Sequence, residues 1–174
     1  PMLRDGLDVF TPSHRRVPPE SLDPNIKSHN YLNLVMADLE IRDRAPHAWA
    51  MLLDTRGFVS EGIGSNVFFV KDGELLTPKA DYVLPGVSRA VVLELAAAEG
   101  VVAHEEDISL EQARSADEAF ITSTSFCICP VRSYDEVRLD KTGIPGPITR
   151  QLSDAFAKEA QFDFVGQYLD ALAE

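Results

Sequence analysis

Hydrophobic and polar positions alternate along this chain with two different periods, and the longer period predicts helices. Leu32, Val35, Met36 and Leu39 recur with the i, i+3, i+4, i+7 spacing of a helical face. This pattern predicts a helix over about residues 28–44. A second helix is predicted over 88–99, where apolar residues follow Ser88 at helical spacing and Gly100 supplies a stop signal.

Short apolar runs between turn residues predict β-strands. Asp72-Gly73 separates two such runs, and this dipeptide supplies the positive φ angles of a tight hairpin turn. The predicted strands are Ala48–Leu53, Phe58–Ser60, Asn66–Val70, Glu74–Thr77, Val101–Ile108, Glu118–Thr122 and Ile128–Tyr134.

Residues that are typical of helix N-termini predict two more helices. Ser109 and Gln112 have the spacing of a capping box, and Gly146-Pro147 places a proline at the first position of a helix that follows it. Residues 1–24 are rich in Pro, Ser and Arg with little periodicity, and we interpret them as an extended connector. Hairpins interspersed with helices predict a mixed α/β sheet rather than a strict doubly wound fold.

Composition narrows the functional classes. The 174 residues suffice for one domain with a core, and the net charge of −12 disfavours nucleic acid or an anionic membrane as a partner. We find no apolar run near the ~20 residues of a membrane span and no metal-ligand spacing among the four histidines. Cys127 and Cys129 lie two apart on a predicted strand, so they point to opposite faces and are not expected to pair. A cytoplasmic location is therefore predicted, without a metal site.

Lys27 is the first candidate for chemistry. A lysine at a helix start is most often solvated, although its positive charge opposes the helix dipole there. A lysine that attacks a carbonyl needs a lowered pKa, obtained by desolvation or from a cationic neighbour. The apolar run that begins at Tyr31 is a candidate source of that desolvation. Both interpretations stay open for Lys27 taken alone.

Three further positions admit a structural and a functional interpretation. Glu61 is either an exposed loop carboxylate or a partner for a protonated pyridine nitrogen. Ser88, two residues after Gly86, is either an ordinary N-cap or part of a phosphate site at a helix N-terminus. The segment 122–125 is either a polar strand end or a second set of hydroxyl and amide donors.

Taken in order, these motifs resemble those of one enzyme family. The sequence reads K-S-H-N-Y-L from Lys27, E-G-I-G-S-N from Glu61, L-P-G-V-S-R from Leu84 and I-T-S-T-S from Ile121. This series is similar to that of the class IV aminotransferases, which are fold-type IV pyridoxal-phosphate enzymes. The similarity runs from about Pro18 to Phe156. It implies the large C-terminal domain of that fold, a mixed sheet with a barrel-like part and flanking helices, over residues 25–174.

The resemblance implies a role for each matching residue. Lys27 would hold pyridoxal 5'-phosphate covalently and carry the substrate proton, and Glu61 would pair with the pyridine nitrogen. The other implied cofactor contacts are Leu84 on the ring face, Tyr31 as an aromatic residue lining the cofactor, and Val87, Ser88 and Thr124 at the phosphate. Thr124 and Ser125 would face the substrate carboxylate.

The resemblance further implies an aminotransferase that moves an amino group between an amino acid, apolar or branched-chain, and a 2-oxo acid. The family's homodimers imply a second copy of the chain as partner. A carbon–carbon lyase of the aminodeoxychorismate type and a non-catalytic remnant of the fold are the alternatives. Residues 1–24 would connect to a small N-terminal domain that supplies an arginine to the cofactor phosphate. Neither Arg15 nor Arg16 matches that arginine.

Overall fold

In the computed structural model, which describes residues 2–173, nine strands form one sheet in the order β3-β2-β1-β8-β7-β4-β5-β6, with β9 beside β8. The strands are β1 Leu7–Phe10, β2 Trp49–Leu53, β3 Val59–Gly62, β4 Asn66–Lys71, β5 Glu74–Pro78, β6 Ala103–Glu106, β7 Glu118–Ser123, β8 Cys127–Tyr134 and β9 Val137–Arg138. The α-helices are α1 Met2–Asp5, α2 Leu32–Arg44, α3 Val87–Ala98, α4 Leu110–Ser115, α5 Pro147–Glu159 and α6 Phe164–Ala173. Within these residues, no helix combines the length and apolarity needed to cross a membrane.

The sheet mixes strand directions and curls. Strand β1 runs parallel to β2 and β8, and β5 runs parallel to β6, whereas the other neighbours are antiparallel. The backbone N–H of Val59 in β3 donates to the carbonyl of Ile108, just beyond β6, at 2.8 Å. This bond connects the β3 edge of the sheet to the segment that follows β6 at the other edge, so the sheet curls into a half-barrel. The predicted mixed α/β fold with a barrel-like part is confirmed.

The central strands are apolar on both faces because helices and the curled sheet cover both. Phe68 of β4 and Phe120 of β7 are fully buried and stack with their ring centroids 5.0 Å apart. The hairpin between β4 and β5 turns through Asp72 at φ 51° and Gly73 at φ 84°, as the Asp-Gly signal predicted. This part of the core holds β4 and β7 in the register that brings Asn66 opposite Thr122.

Side-chain hydrogen bonds stabilise the N-termini of helices α4 and α5. Ser109 and Gln112 form both hydrogen bonds of the predicted capping box. Helix α5 begins at the predicted Pro147, and the buried carboxylate of Glu118 accepts bonds from the backbone N–H groups of Ile148 at 3.1 Å and Thr149 at 2.8 Å. Glu118 thus satisfies two free donors of the helix N-terminus from a neighbouring strand.

Substituting Glu118 with alanine is expected to lower the free energy of unfolding by about 2–3 kcal/mol. The change would leave the two N–H groups at the start of α5 buried without an acceptor. Urea denaturation monitored by circular dichroism measures the loss. Glu111→Ala, at an exposed position of α4, is the control and should cost about 0.5 kcal/mol or less. Equal losses for the two variants would contradict this role of Glu118.

Residues 2–10 differ from the expected extended connector. Residues 7–10 form strand β1 in the middle of the sheet, and Val9 is fully buried. The strand was missed because its apolar–polar alternation spans only four residues before a Pro-rich stretch, too few to establish a period. Residues 2–10 therefore contribute to the sheet and its core.

Helix α2 differs from its prediction in its start and in its buried face. It begins at Leu32 rather than near residue 28, because the preceding residues are held in turns, including a bond from the Ser28 N–H to the Ile26 carbonyl at 2.7 Å. Its buried residues include Leu34 and Ile41. The predicted apolar stripe is instead exposed: Leu32 68%, Val35 39%, Met36 42% and Leu39 56%. Helix α2 thus has apolar residues on both its buried and its solvent-facing side.

Candidate active site

A cavity of about 330 Å³ lies where the end of β3, the start of α3, the end of β7 and the segment before α2 meet. Of the eight site residues expected from the sequence, the lining contains Lys27, Tyr31, Glu61, Leu84, Val87, Ser88 and Thr124. Ser125 is exposed and does not belong to the lining. Four segments that are far apart in sequence therefore place amine, carboxylate and hydroxyl groups around one space.

Glu61 is the buried charge of the cavity. It lies in β3, is 5% exposed, and accepts a bond from Arg16 Nε at 2.6 Å through Oε1. Its Oε2 accepts the backbone N–H of Leu84 at 2.9 Å. Burial raises the pKa of Glu61 above its usual value, while the Arg16 guanidinium and the Leu84 N–H oppose that rise. The exposed-loop interpretation of Glu61 is therefore wrong.

The start of α3 presents free backbone donors to the cavity. The N-cap of this helix is Gly86, which has no capping side chain, and Ser88 lies in the first turn. The interpretation of Ser88 as an ordinary N-cap is therefore wrong. A Cβ atom at residue 86 would overlap Asn66 Oδ1, so glycine is required for the close approach of this loop to β4. Asn66 Nδ2 also donates to the Leu84 carbonyl at 2.8 Å and fixes the loop.

Hydroxyl groups from β7 complete this end of the cavity. Thr122 Oγ1 is buried, lines the cavity and has no hydrogen-bond partner among residues 2–173. Thr124 is exposed at the rim. Ser123 Oγ accepts the N–H of Ser125 at 3.1 Å. An unpartnered buried hydroxyl beside a helix N-terminus is a site for an anionic oxygen ligand.

Lys27 lies at the mouth of the cavity, in the loop before α2 rather than within the helix. Its side chain is exposed, and Nζ lies 3.5 Å from the hydroxyl of Tyr31. The desolvation that the sequence suggested for Lys27 is not present, because the apolar stripe of α2 faces solvent. The amine is thus free to reach a ligand in the cavity.

The donor set fits pyridoxal phosphate, the cofactor implied by the resemblance. A phosphate needs several N–H and O–H donors, which α3 and β7 supply, and a pyridine ring nitrogen needs an acceptor, which Glu61 supplies at the buried end. An aldehyde needs an amine, and Lys27 Nζ lies at the mouth.

Sequence reasoning did not assign a site role to Arg16 or Asn66. Arg16 lies in the Pro-rich segment that the sequence predicts as a connector, and its pairing with Glu61 spans 45 residues, beyond any local pattern. Asn66 begins β4 and lies opposite Thr122, a member of the predicted donor segment 122–125. A polar residue at the start of an apolar strand was the signal available for Asn66.

A family model and several relatives match the chain. The model, described as "Amino-transferase class IV", matches residues 1–134. The chain is 42% identical over 158 residues to a protein of Methanocaldococcus jannaschii, covering 90% of this chain and 54% of that protein. It is 36% identical over 156 residues to a branched-chain-amino-acid aminotransferase of Escherichia coli, covering 88% and 50%. The chain therefore spans about half the length of these relatives.

Solved structures show the same fold. The E. coli branched-chain amino acid aminotransferase superposes with a TM-score of 0.83 at 34% identity, over 89% of this chain and 51% of that one. The holo (PLP-form) branched-chain amino acid aminotransferase of Thermobaculum terrenum superposes with a TM-score of 0.84 at 36% identity, over 91% and 52%. The likeness thus covers nearly all of this chain.

Proposed function

The chain belongs to the class IV aminotransferase family. On this premise we propose that it binds pyridoxal 5'-phosphate and functions in the transamination of branched-chain or other apolar amino acids. The observation that carries the proposal is the single cavity where Lys27, Glu61 and the start of α3 meet. The matched relatives are named as aminotransferases, which favours this reaction over the lyase and remnant alternatives.

We assign the following roles to residues of the protein. The N–H groups at the start of α3, with Ser88 and Thr124, hold the phosphate, and Leu84 packs on the ring. Glu61 accepts the ring N–H. The cofactor, when bound, supplies an electron-accepting ring that stabilises negative charge at the substrate α-carbon. Lys27 Nζ would hold the aldehyde group of the cofactor and would take the substrate α-proton as a general base.

The hydroxyl of Tyr31 lies close enough to Lys27 Nζ to orient the amine. In this assignment the turn at Thr124 and Ser125 faces the substrate carboxylate, and the exposed apolar residues Ile26 and Val87 at the rim contact an apolar substrate side chain.

Incubating the chain with pyridoxal phosphate and leucine tests the proposal. Conversion of leucine to its 2-oxo acid, with the amino group recovered on the cofactor, is the expected result, and 2-oxoglutarate should then restore the aldehyde form. A chain that binds no pyridoxal phosphate, or that binds it without converting any apolar amino acid, would contradict the proposal.

We also propose that two copies of the chain associate through the exposed apolar stripe of α2. Residues 32–39 carry this stripe immediately after the loop of Lys27, so a partner seated on it would lie next to the cavity mouth. Contiguous apolar surface of this kind is typical of interaction sites. The cytoplasmic location stays a prediction, supported by the unpaired state of Cys127 and Cys129.

Replacing Leu39 with aspartate is expected to convert a dimer into a folded monomer, because the change buries an unpaired charge in the interface. Leu39 is 56% exposed in the single chain, so the monomer itself loses little. Light scattering with circular dichroism measures both properties. Val102→Asp, at a residue 53% exposed elsewhere, is the control and should remain dimeric. A wild-type monomer, or a dimeric Leu39→Asp variant, would contradict the proposed interface.

A further inference from the structure

We propose that Arg16 is a positioning residue that keeps the Glu61 carboxylate charged and aimed at the ring nitrogen of the cofactor. This inference rests on the proposed function and adds a residue that the motif comparison did not include. It gives a task to a segment that the sequence presents as a linker.

The backbone fixes Arg16 before any ligand binds. Its N–H donates to the carbonyl of Leu53 at the end of β2 at 2.8 Å, and Arg15 forms an isolated parallel bridge with the same residue. On the other side, Asn33 of α2 donates to the Arg15 carbonyl at 2.8 Å and accepts the N–H of Val17 at 3.2 Å. Since β2 pairs with β3, this clamp sets the guanidinium beside Glu61.

The pairing leaves Glu61 able to accept further hydrogen bonds. A carboxylate has about four lone-pair directions, and Arg16 Nε and the Leu84 N–H each use one. The side chains of Arg16 and Glu61 are 12% and 6% exposed, so water contributes little to either charge. Both residues line the cavity. A ring N–H that enters the cavity therefore meets a carboxylate whose orientation is already fixed.

The same bonds connect the two ends of the cavity. The backbone N–H of Leu84 is held by Glu61 and its carbonyl by Asn66, and Leu84 lies two residues before Gly86, the N-cap of α3. Arg16 therefore supports the acceptor for the ring and, through Glu61, the loop that precedes the phosphate donors.

Without Arg16, Glu61 would be a buried carboxylate facing only the Leu84 N–H and the more distant Lys27. Burial already raises its pKa, so the folded protein binds the Glu61 proton more tightly than the unfolded chain does. The stabilisation that comes from tighter binding of this proton is fully present below the pKa of Glu61 in the unfolded chain, about 4.3. It is lost as the pH rises through the pKa of Glu61 in the folded protein. Removing Arg16 should raise the pKa further and extend that loss to higher pH.

The first experiment compares Arg16→Met with wild type in the absence of cofactor. The denaturation midpoint of the variant should fall further below that of wild type as pH rises from about 5 to about 8. When Glu61 is also replaced by glutamine, the change in midpoint caused by Arg16→Met should no longer depend on pH. Arg15→Met, at an exposed neighbouring arginine, is the matched control and should follow wild type. A midpoint difference independent of pH would overturn the electrostatic role.

The second experiment measures the affinity of the chain for pyridoxal phosphate and for its 1-deaza analogue, in which C–H replaces the ring nitrogen. Arg16→Met should weaken pyridoxal phosphate binding by at least about tenfold at neutral pH and leave analogue binding within about threefold of wild type. Arg16→Lys should restore part of the loss. If Arg16→Met weakened the binding of both ligands equally, Arg16 would have only a structural role and the proposal would be overturned. Failure of wild type to bind pyridoxal phosphate would instead contradict the proposed function.

Discussion

Replacing Lys27 with alanine is expected to lower transamination by at least about a hundredfold and to remove the visible absorption band of the bound cofactor. The band arises from covalent attachment to an amine, and the rate depends on a base placed at the substrate α-carbon. Lys27 Nζ is the amine at the cavity mouth that we assign to both tasks. The variant should still bind pyridoxal phosphate, because Glu61 and the start of α3 are unchanged.

Absorption spectroscopy and a leucine half-reaction assay measure the two effects. Lys141→Ala, at an exposed lysine outside the cavity lining, is the control and should keep the band and the rate. A Lys27→Ala variant with an undiminished band would show that another amine holds the cofactor.

Replacing Ser88 with alanine and Thr124 with valine together is expected to weaken pyridoxal phosphate binding by at least about a hundredfold. Each substitution removes a hydroxyl donor to a charged oxygen, an interaction worth about 1.5–3 kcal/mol. The backbone donors at the start of α3 remain, so binding should be reduced rather than abolished.

Pyridoxal, which lacks the phosphate, separates this effect from general damage. Its affinity should be the same for wild type and the double variant. Ser153→Ala, on α5 and outside the cavity lining, is the control for pyridoxal phosphate. If the double variant lost affinity for pyridoxal in the same proportion, the hydroxyl groups would not be phosphate ligands.

The sequence predicted those elements whose signals are local. The Asp-Gly turn after β4, the capping box at Ser109 and the proline that opens α5 each lie within a few residues of the feature they determine. Strand β1 was missed because its stability comes from β2 and β8, which lie far along the chain. Local pattern cannot report partners that only the folded sheet brings together.

The candidate site shows the same division. Lys27, Glu61 and Ser88 could be proposed from the sequence because they stand in recognisable motifs, and all three line one cavity. Arg16 was not found, because its importance depends on a contact with Glu61 across 45 residues and on a clamp formed by β2 and α2. The stripe on α2 correctly predicted a helix but not which side is buried, since the helix is apolar on both sides.

Borohydride reduction followed by peptide mapping tests the central claim most directly. If Lys27 holds pyridoxal phosphate, reduction of the reconstituted chain will fix a phosphopyridoxyl group on the peptide that contains Lys27, at about one group per chain. The Lys27→Ala chain will carry none at that peptide. A label spread over the exposed lysines, or no label after saturation with the cofactor, would contradict the assignment of this cavity as a pyridoxal phosphate site.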